Sequence, residues 1–526
     1  MPASLRPRLA RAWSGWTVVV LICLAVLLLW LPDLDLPLGN SDDGRQVGLI
    51  GLQGRNFWEL GPLESDFGAR IDPYVRPGFG AAPRSGPPVA AVSYAHHPPL
   101  TIFIGAASVG ILGDNLAALR IAAFLVGSAT VAFMAALLRG CGLRWGPTLL
   151  AAGAMASTGF FYVYGRIGVG FSLLVASAAA VAWLRNTERP PRWALLGTAV
   201  LAAMAAMQSW IAMASLPLLA LWLFTSRASR LSGPDPVLAE ERLRGPRRWL
   251  ASGWSPALTA LVVGSAVGAI IAAAWMLNGS GIAELSDQVS VRTGLDEAAG
   301  GRSFGFGEFL SRQWDFATEE LLVPPWLRVL LVPALLAGLI DRRTRVATAI
   351  TLAMAAALTF GLQQGAWTHR LWNFPWLAPA TIGLASLLDA ARRVIPDRVR
   401  APAAAAVAAV IAATMVAVVL GGTRDRYLSE PAHLGTALEQ AANTSQAHRA
   451  ELAWTGPGLP TPRWASYYLD VPAWTLDESR LDELEDSDLV ILRASMVPEF
   501  LPDDVLEDPL ASAGDFRVTT AASLSP

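Results

Sequence analysis

The feature that most constrains this chain is a succession of apolar blocks, separated by connections rich in arginine. The blocks are about 17 to 22 residues long, and a helix of that length spans the roughly 30 Å hydrocarbon core of a bilayer. With 53% hydrophobic and 16% charged residues and a mean hydropathy of +0.43, a soluble fold has too little interior for the apolar surface. Continuous blocks rather than short alternating strands also argue against a closed barrel. The expected fold class is an α-helical polytopic membrane protein.

The first block, Trp16 to Leu34, follows Arg6, Arg8 and Arg11. It is too long for a signal peptide and lacks a small-residue cleavage site, so it reads as a retained first helix. Further blocks at 118–138, 146–165, 168–184, 193–209, 211–224, 255–276, 325–340, 346–362, 371–389 and 402–421 give about eleven crossings. The arginine excess before the first block places the N-terminus in the cytoplasm. Under that count Arg139 and Arg144, Arg185 to Arg192, Arg227 to Arg248, Arg342 to Arg345 and Arg392 to Arg400 all fall on the cytoplasmic side. The apolar stretch Pro98 to Gly113 would reverse this order if it crossed, so it is expected as a juxtamembrane helix within the first outer loop. The spans themselves are almost free of Asp and Glu.

From about Thr423 the composition turns polar. Residues 1–422 are expected to form the membrane domain and 423–526 a small extracytoplasmic α/β domain, with a helix at Pro431 to Ala442 and β-like runs at Ala465 to Leu469 and Leu489 to Leu492. The formal net charge is −2 and the chain contains no lysine, a balance without a nucleic-acid footprint. High alanine and arginine point to a GC-rich prokaryotic genome and hence to the plasma (inner) membrane. Cys23 and Cys141 are too few for a disulfide framework.

Chemistry is expected where polar residues crowd the outer face. The first loop opens with Ser41-Asp42-Asp43-Gly44, where adjacent carboxylates can act as a general base or bind a divalent ion such as Mg or Mn with phosphate oxygens. The alternative is a solvated turn ending a helix. The loop continues through Gly54-Arg55-Asn56-Phe57-Trp58 to Tyr94-Ala95-His96-His97-Pro98-Pro99. Imidazoles at that re-entry point can hold a phosphate or a metal, or merely cap a helix. No HExxH, CxxC or P-loop spacing occurs.

Several motifs appear in a set order: the acidic pair, Arg55-Asn56-Phe57, His97-Pro98-Pro99-Leu100, Gly113-Asp114-Asn115 and Arg120-Ile121-Ala122, then Phe160 to Arg166, and later His369-Arg370-Leu371-Trp372. In that order the chain resembles the GT-C membrane glycosyltransferases of the family 39 type, which include protein O-mannosyltransferases and the lipid A aminoarabinose transferase. The likeness is best over 35–185. It implies an inverting transfer of a sugar from a polyprenyl-phosphate donor to a protein, lipid or glycan acceptor on the outer face. One of Asp42 and Asp43 would be the base, and His96, His97, Arg166, His369 and Arg370 would meet the donor phosphate. The cavity for sugar and acceptor would draw on Arg55, Trp58, Tyr94, Tyr164 and Trp372, with Trp314 and Trp367 as further stacking surfaces.

The stretch 277–324 adds Arg302 as another phosphate contact, in a glycine-rich segment read either as a loop that orders on the donor or as a connector. One departure stands out: relatives carry an aspartate a few positions after the arginine equivalent to Arg166, whereas here the run is Ile167-Gly168-Val169-Gly170. Those glycines suggest a widened cavity or an inactive site. Two other classes therefore stand beside the transferase, a lipid or solute transporter and a non-catalytic scaffold of the same fold.

Overall fold

The computed structural model describes residues 6–39, 41–71, 97–167, 169–231, 254–277, 281–294, 304–321, 329–420, 422–450, 452–456, 465–469, 471, 473–476 and 478–524. A helical membrane part is followed by a five-stranded sheet. Among the described residues five helices are long and apolar enough to cross a membrane: Ser14–Asp33, Leu116–Gly140, Pro256–Leu277, Arg370–Val394 and Asp397–Ala417. Further apolar helices are shorter, and together they make this a multi-pass membrane protein. The block expected at 146–165 is broken by Ser157 and Thr158 into α5 (Trp145–Ala156) and α6 (Gly159–Tyr164), because the Thr158 side chain caps α6 by accepting from Phe161 N.

Helix α1 (Arg6–Trp30) leads through a short 3-10 turn to α2 (Asp42–Glu59). The acidic pair thus opens a helix rather than ending one: Ser41 is the cap, its hydroxyl accepting from Gly44 N at 3.2 Å, and carboxylates in a first turn complement the helix dipole. Helix α3 (Leu100–Leu112) is apolar but has 13 residues, about 20 Å of helix and short of a crossing. It packs beside α2 and turns at Gly113 into α4 (Leu116–Gly140). This agrees with the juxtamembrane reading of Pro98 to Gly113.

The bundle continues with α7 (Val169–Leu184), α8 (Arg192–Gln208), α9 (Trp210–Leu231) and α10 (Pro256–Leu277). Helices α8 and α10 pack closely because Gly264 and Gly268 lie against the backbone at Ala199 and Ala203, leaving no room for a Cβ. The stretch expected as a loop at 277–324 holds two helices, α11 (Gly281–Thr293) and α12 (Phe306–Leu321). Helix α12 buries Phe309, Gln313 and Phe316 while Phe306, Leu310 and Trp314 stay exposed. This double apolar patterning is what the glycines at its start disguised in the sequence. After α13 (Leu331–Ile340), α14 (Arg345–Gly361) and α15 (Gln363–Thr368) come a 3-10 turn over Arg370–Trp376, then α16 (Leu377–Val394) and α17 (Asp397–Leu420).

The tail opens with a short π-helical turn, Asp425–Ser429, and α18 (Glu430–Ala442), close to the expected helix. With strands β1 (Ala453–Thr455), β2 (Ala473–Thr475), β3 (Leu489–Arg493), β4 (Ala511–Ala513) and β5 (Phe516–Thr520), the sheet order is β2-β1-β3-β5-β4, β1 parallel to β2 and β3, and β5 antiparallel to β3 and β4. Leu489–Arg493 is the central strand β3, as the sequence suggested. Ser466–Leu469, however, is a helical turn, α19, and not a strand. Tyr467 hydroxyl donates to Asp114 Oδ1 at 3.0 Å, and Tyr468 hydroxyl accepts from Leu38 N at 2.7 Å. Both neighbours face the membrane part, which the strict alternation of a strand forbids.

Sheet, α18 and α2 share one core, in which Leu38, Val47 and Leu52 pack with Leu434, Leu438 and Tyr467. The segment after the first span is therefore built against the tail. Spans nearly free of acids were expected, yet Asp33 and Asp389 are both buried, Asp33 with Arg166 and Asp389 with Arg343. Pairing is what makes a carboxylate tolerable there.

Candidate active site

Asp42 owes its position to both parts of the chain. Leu38 is fixed by Tyr468, and Gly39 lies so close to the Pro431–Ala432 backbone that a side chain there has no space. One turn into α2, Arg45 Nη2 donates to Asp42 Oδ1 at 3.3 Å. On the other side His369 Nδ1 stands 3.9 Å from the same oxygen, too far for a hydrogen bond but close enough that a small shift makes one. His369 sits in the turn after α15. Trp372, half-buried three residues later, carries the Arg292 guanidinium of α11 at 5.8 Å from its ring. The start of α2 and the turn after α15 thus meet at one carboxylate oxygen, with α11 reaching that turn through Arg292.

Burial is the first cause that holds the His369 imidazole below its ordinary pKa of 6.5; the Asp42 charge opposes this, and the cations of Arg292 and Arg45 reinforce it. The lowered pKa favours the neutral ring at pH 7, and that ring stands beside Asp42 without a hydrogen bond to it. The positive charge here comes from Arg45 and Arg292. Arg370, the next residue, donates to the Tyr427 hydroxyl and lies over Phe316 at 5.2 Å, so the tail's π-helical turn touches this segment directly.

Arg166 has a different setting from the phosphate-facing one the motif implied. Its side chain is fully buried and donates to Asp33 Oδ2 at 2.7 Å, with the Phe124 ring 5.4 Å away. Tyr162 hydroxyl donates to the same Asp33 oxygen at 3.3 Å, and Arg424 reaches Asp33 Oδ1 at 2.9 Å from Nε and 2.8 Å from Nη2. This cluster ties the end of α1 to α6 and to the start of the tail.

The remaining candidates separate clearly. Arg55 donates to Asp114 Oδ2 at 2.7 Å and to Tyr467 O at 3.1 Å, linking α2 to the tail. Trp58 donates from Nε1 to Ala106 O at 2.6 Å and packs on Gly110 of α3. Tyr164 is buried among Phe160 and Phe374, and His97 is exposed just before α3. Trp367 is covered by Phe304 at 4.4 Å and by the Arg312 guanidinium at 4.4 Å, which takes its ring faces. Tyr94, His96, Arg302 and the side chain of Asp43 lie outside the described residues.

Of the sequence candidates, the structure brings together Asp42 and His369. Arg45, Asp33, Arg424 and Tyr427 were not picked out from the sequence. Arg45 had a signal, since it follows Asp42 by three residues in a segment that a serine caps. Gly170, read as a widened cavity, is instead closed by packing, because a Cβ there would stand 2.7 Å from Ser209 Oγ.

Residues 96–240 match the family model described as dolichyl-phosphate-mannose-protein mannosyltransferase. No curated protein sequence matches the chain. The fold matches the apo crystal structure of ArnT from Cupriavidus metallidurans at 14% identity, covering 98% of this chain and 100% of that one, with a TM-score of 0.56. The same figures, with 99% of that chain covered, hold for ArnT bound to undecaprenyl phosphate. The archaeal oligosaccharyltransferase AglB from Archaeoglobus fulgidus, solved with an inhibitory peptide and a dolichol-phosphate, matches at 12% identity over 92% of this chain and 70% of that one, with a TM-score of 0.53. The chain therefore has the fold of these membrane proteins from end to end, carries the mannosyltransferase family signature across residues 96–240, and resembles the GT-C glycosyltransferases of the PMT/ArnT type.

Proposed function

We propose that this protein is an inverting glycosyltransferase that moves a hexose or pentose from a polyprenyl-phosphate donor to an acceptor on the extracytoplasmic face. The observation that carries the reading is a carboxylate, Asp42, at the start of α2, with the Arg45 guanidinium bonded to it and the His369 imidazole 3.9 Å away, Arg292 acting on that imidazole in turn. ArnT has been solved with undecaprenyl phosphate and AglB with dolichol-phosphate, which supports the same class of donor here. Residues 1–422 would then be the membrane domain and 423–526 an extracytoplasmic one that shapes the acceptor side.

In this reading Asp42 accepts the proton of the acceptor hydroxyl as that oxygen attacks the anomeric carbon. The bond from that carbon to the phosphate oxygen breaks with its electron pair leaving on the phosphate, and the configuration inverts. Arg45 and Arg292 offset the charge that builds there, which is worth most in a site shielded from water. Neutral His369 orients Asp42 without neutralising it. Among the described residues no three His, Cys, Asp or Glu side chains form a metal cluster. A divalent ion such as Mg or Mn would draw on Asp42, and no step here passes through one.

The test is transfer of radiolabelled sugar from a panel of polyprenyl-phosphate sugars by the reconstituted protein. Donor consumption with release of polyprenyl phosphate is expected, and binding without turnover across the panel would shift the balance to the non-catalytic scaffold. The pH profile gives a second check. Because His369 titrates below 6.5, transfer should hold as pH falls through 6.5 and decline only below it, where an imidazolium would pair with Asp42 and weaken it as a base. A decline already complete at pH 6.5 would show that His369 is not the neutral partner.

A further inference from the structure

The segment that presents His369 is gripped from outside the site. Gln313, on the inner face of α12, is 6% exposed, and Asn373 is 1% exposed. The Gln313 carboxamide uses both ends: Nε2 donates to Ala366 O at 3.1 Å, and Oε1 accepts from Asn373 Nδ2 at 2.7 Å. Ala366 lies three residues before His369 and Asn373 four residues after it. One side chain therefore closes residues 366–373 into a loop. Its neighbours on α12 act on the same segment, with Arg312 on the Trp367 ring at 4.4 Å and Phe316 beneath Arg370 at 5.2 Å.

We propose that Gln313 is a positioning residue of the transferase, holding the 366–373 loop so that His369 faces Asp42. The proposal rests on the function assigned above but is tested apart from it. A carboxamide suits the task because one planar group offers a donor and an acceptor in opposite directions. Both partners are buried, so an apolar replacement leaves the Ala366 carbonyl and the Asn373 amide without partners where water cannot serve them. The loop must then shift to satisfy them. A catalytic group misplaced by about 1 Å costs on the order of 100-fold in rate. Donor binding, set mainly by the prenyl chain and the arginines, should change little.

The experiment compares wild type, Gln313→Leu, and the exchange Gln313→Asn with Asn373→Gln, which restores an amide pair of the same total length. Gln313→Leu is expected to lower kcat about 10- to 100-fold with undecaprenyl phosphate affinity unchanged within about threefold, and the exchange to recover most of the loss. A second reading does not need activity. Carbethoxylation of each histidine by diethyl pyrocarbonate, followed by mass spectrometry, reports access to His369, whose side chain is 20% exposed. His433 and His448, both exposed in the tail, serve as internal controls.

In Gln313→Leu the His369 rate should rise several-fold while the controls stay constant, and the exchange should reverse it. If wild type turns over no donor but His369 labelling behaves in this way, the transferase assignment falls and the clamp stands. Equal labelling and equal kcat in Gln313→Leu and wild type would overturn the clamp. So would a rise at all three histidines in both variants, which signals general loosening of the fold.

Discussion

Asp42→Asn is expected to lower the rate of sugar transfer about 10²- to 10⁴-fold, the range over which a positioned general base contributes. The change is nearly isosteric, keeps the Ser41 cap and preserves an oxygen for Arg45. It removes only the ability to take a proton. Undecaprenyl phosphate binding should therefore survive, and the defect should appear in kcat with little change in KM. The measurement is a steady-state transfer assay on reconstituted protein, with Asp43→Asn beside it. Retention of activity within tenfold in Asp42→Asn, with loss in Asp43→Asn, would move the base by one residue. Retention in both would remove the start of α2 from the chemistry.

The second large effect concerns folding. Asp33→Ala leaves Arg166, whose side chain is 0% exposed, buried without the carboxylate that compensates it. Breaking a buried pair from one side costs about 3–5 kcal/mol, a large part of the 5–15 kcal/mol typical of a folded protein. Thermal unfolding in detergent should show a drop of many degrees, or the protein should fail to accumulate in the membrane. Arg424→Ala should cost far less, because that side chain is 34% exposed and its ion pair is screened by water. The double replacement Asp33→Leu with Arg166→Leu distinguishes charge compensation from packing. It should be closer to wild type than Asp33→Ala, since removing both charges leaves nothing uncompensated. If all three behave alike, the ion pair contributes little and the cluster serves another purpose.

Much of this architecture was legible because hydropathy acts residue by residue. A run of apolar side chains must meet lipid whichever neighbours it acquires, so the first span, the spans at 118–138 and 255–276 and the helical tail segment near 431–442 could be read directly. The acidic pair drew notice as adjacent carboxylates just beyond a span, and the resemblance put a base there; that it starts a helix came from the structure. His369 drew notice as one of five histidines, within a motif. What failed were inferences about partners. Arg166 looked like a phosphate contact because the family resemblance implied one there, and only the fold shows it paired with Asp33.

Local propensity misled in the same way at the tail. Tyr467 and Tyr468 favour strand by composition, but Asp114 and Leu38 draw both to one side, and a helical turn results. The 277–324 stretch looked mobile because its glycines are conspicuous, whereas the amphipathic face of α12 becomes apparent only once Phe309, Gln313 and Phe316 are seen to share a buried side.

By itself, then, the sequence determined that the chain enters a membrane many times, where its polar segments gather, and that two adjacent carboxylates follow the first span. These follow from transfer free energies that belong to single side chains and short windows. Only the tertiary structure decided that His369 and Arg292 join Asp42 and Arg45, that Arg166 is spent on Asp33, and that Gln313 holds the loop between. Those outcomes depend on distances between residues far apart in the chain, and electrostatic and hydrogen-bond energies change over an ångström that no spacing along the sequence records.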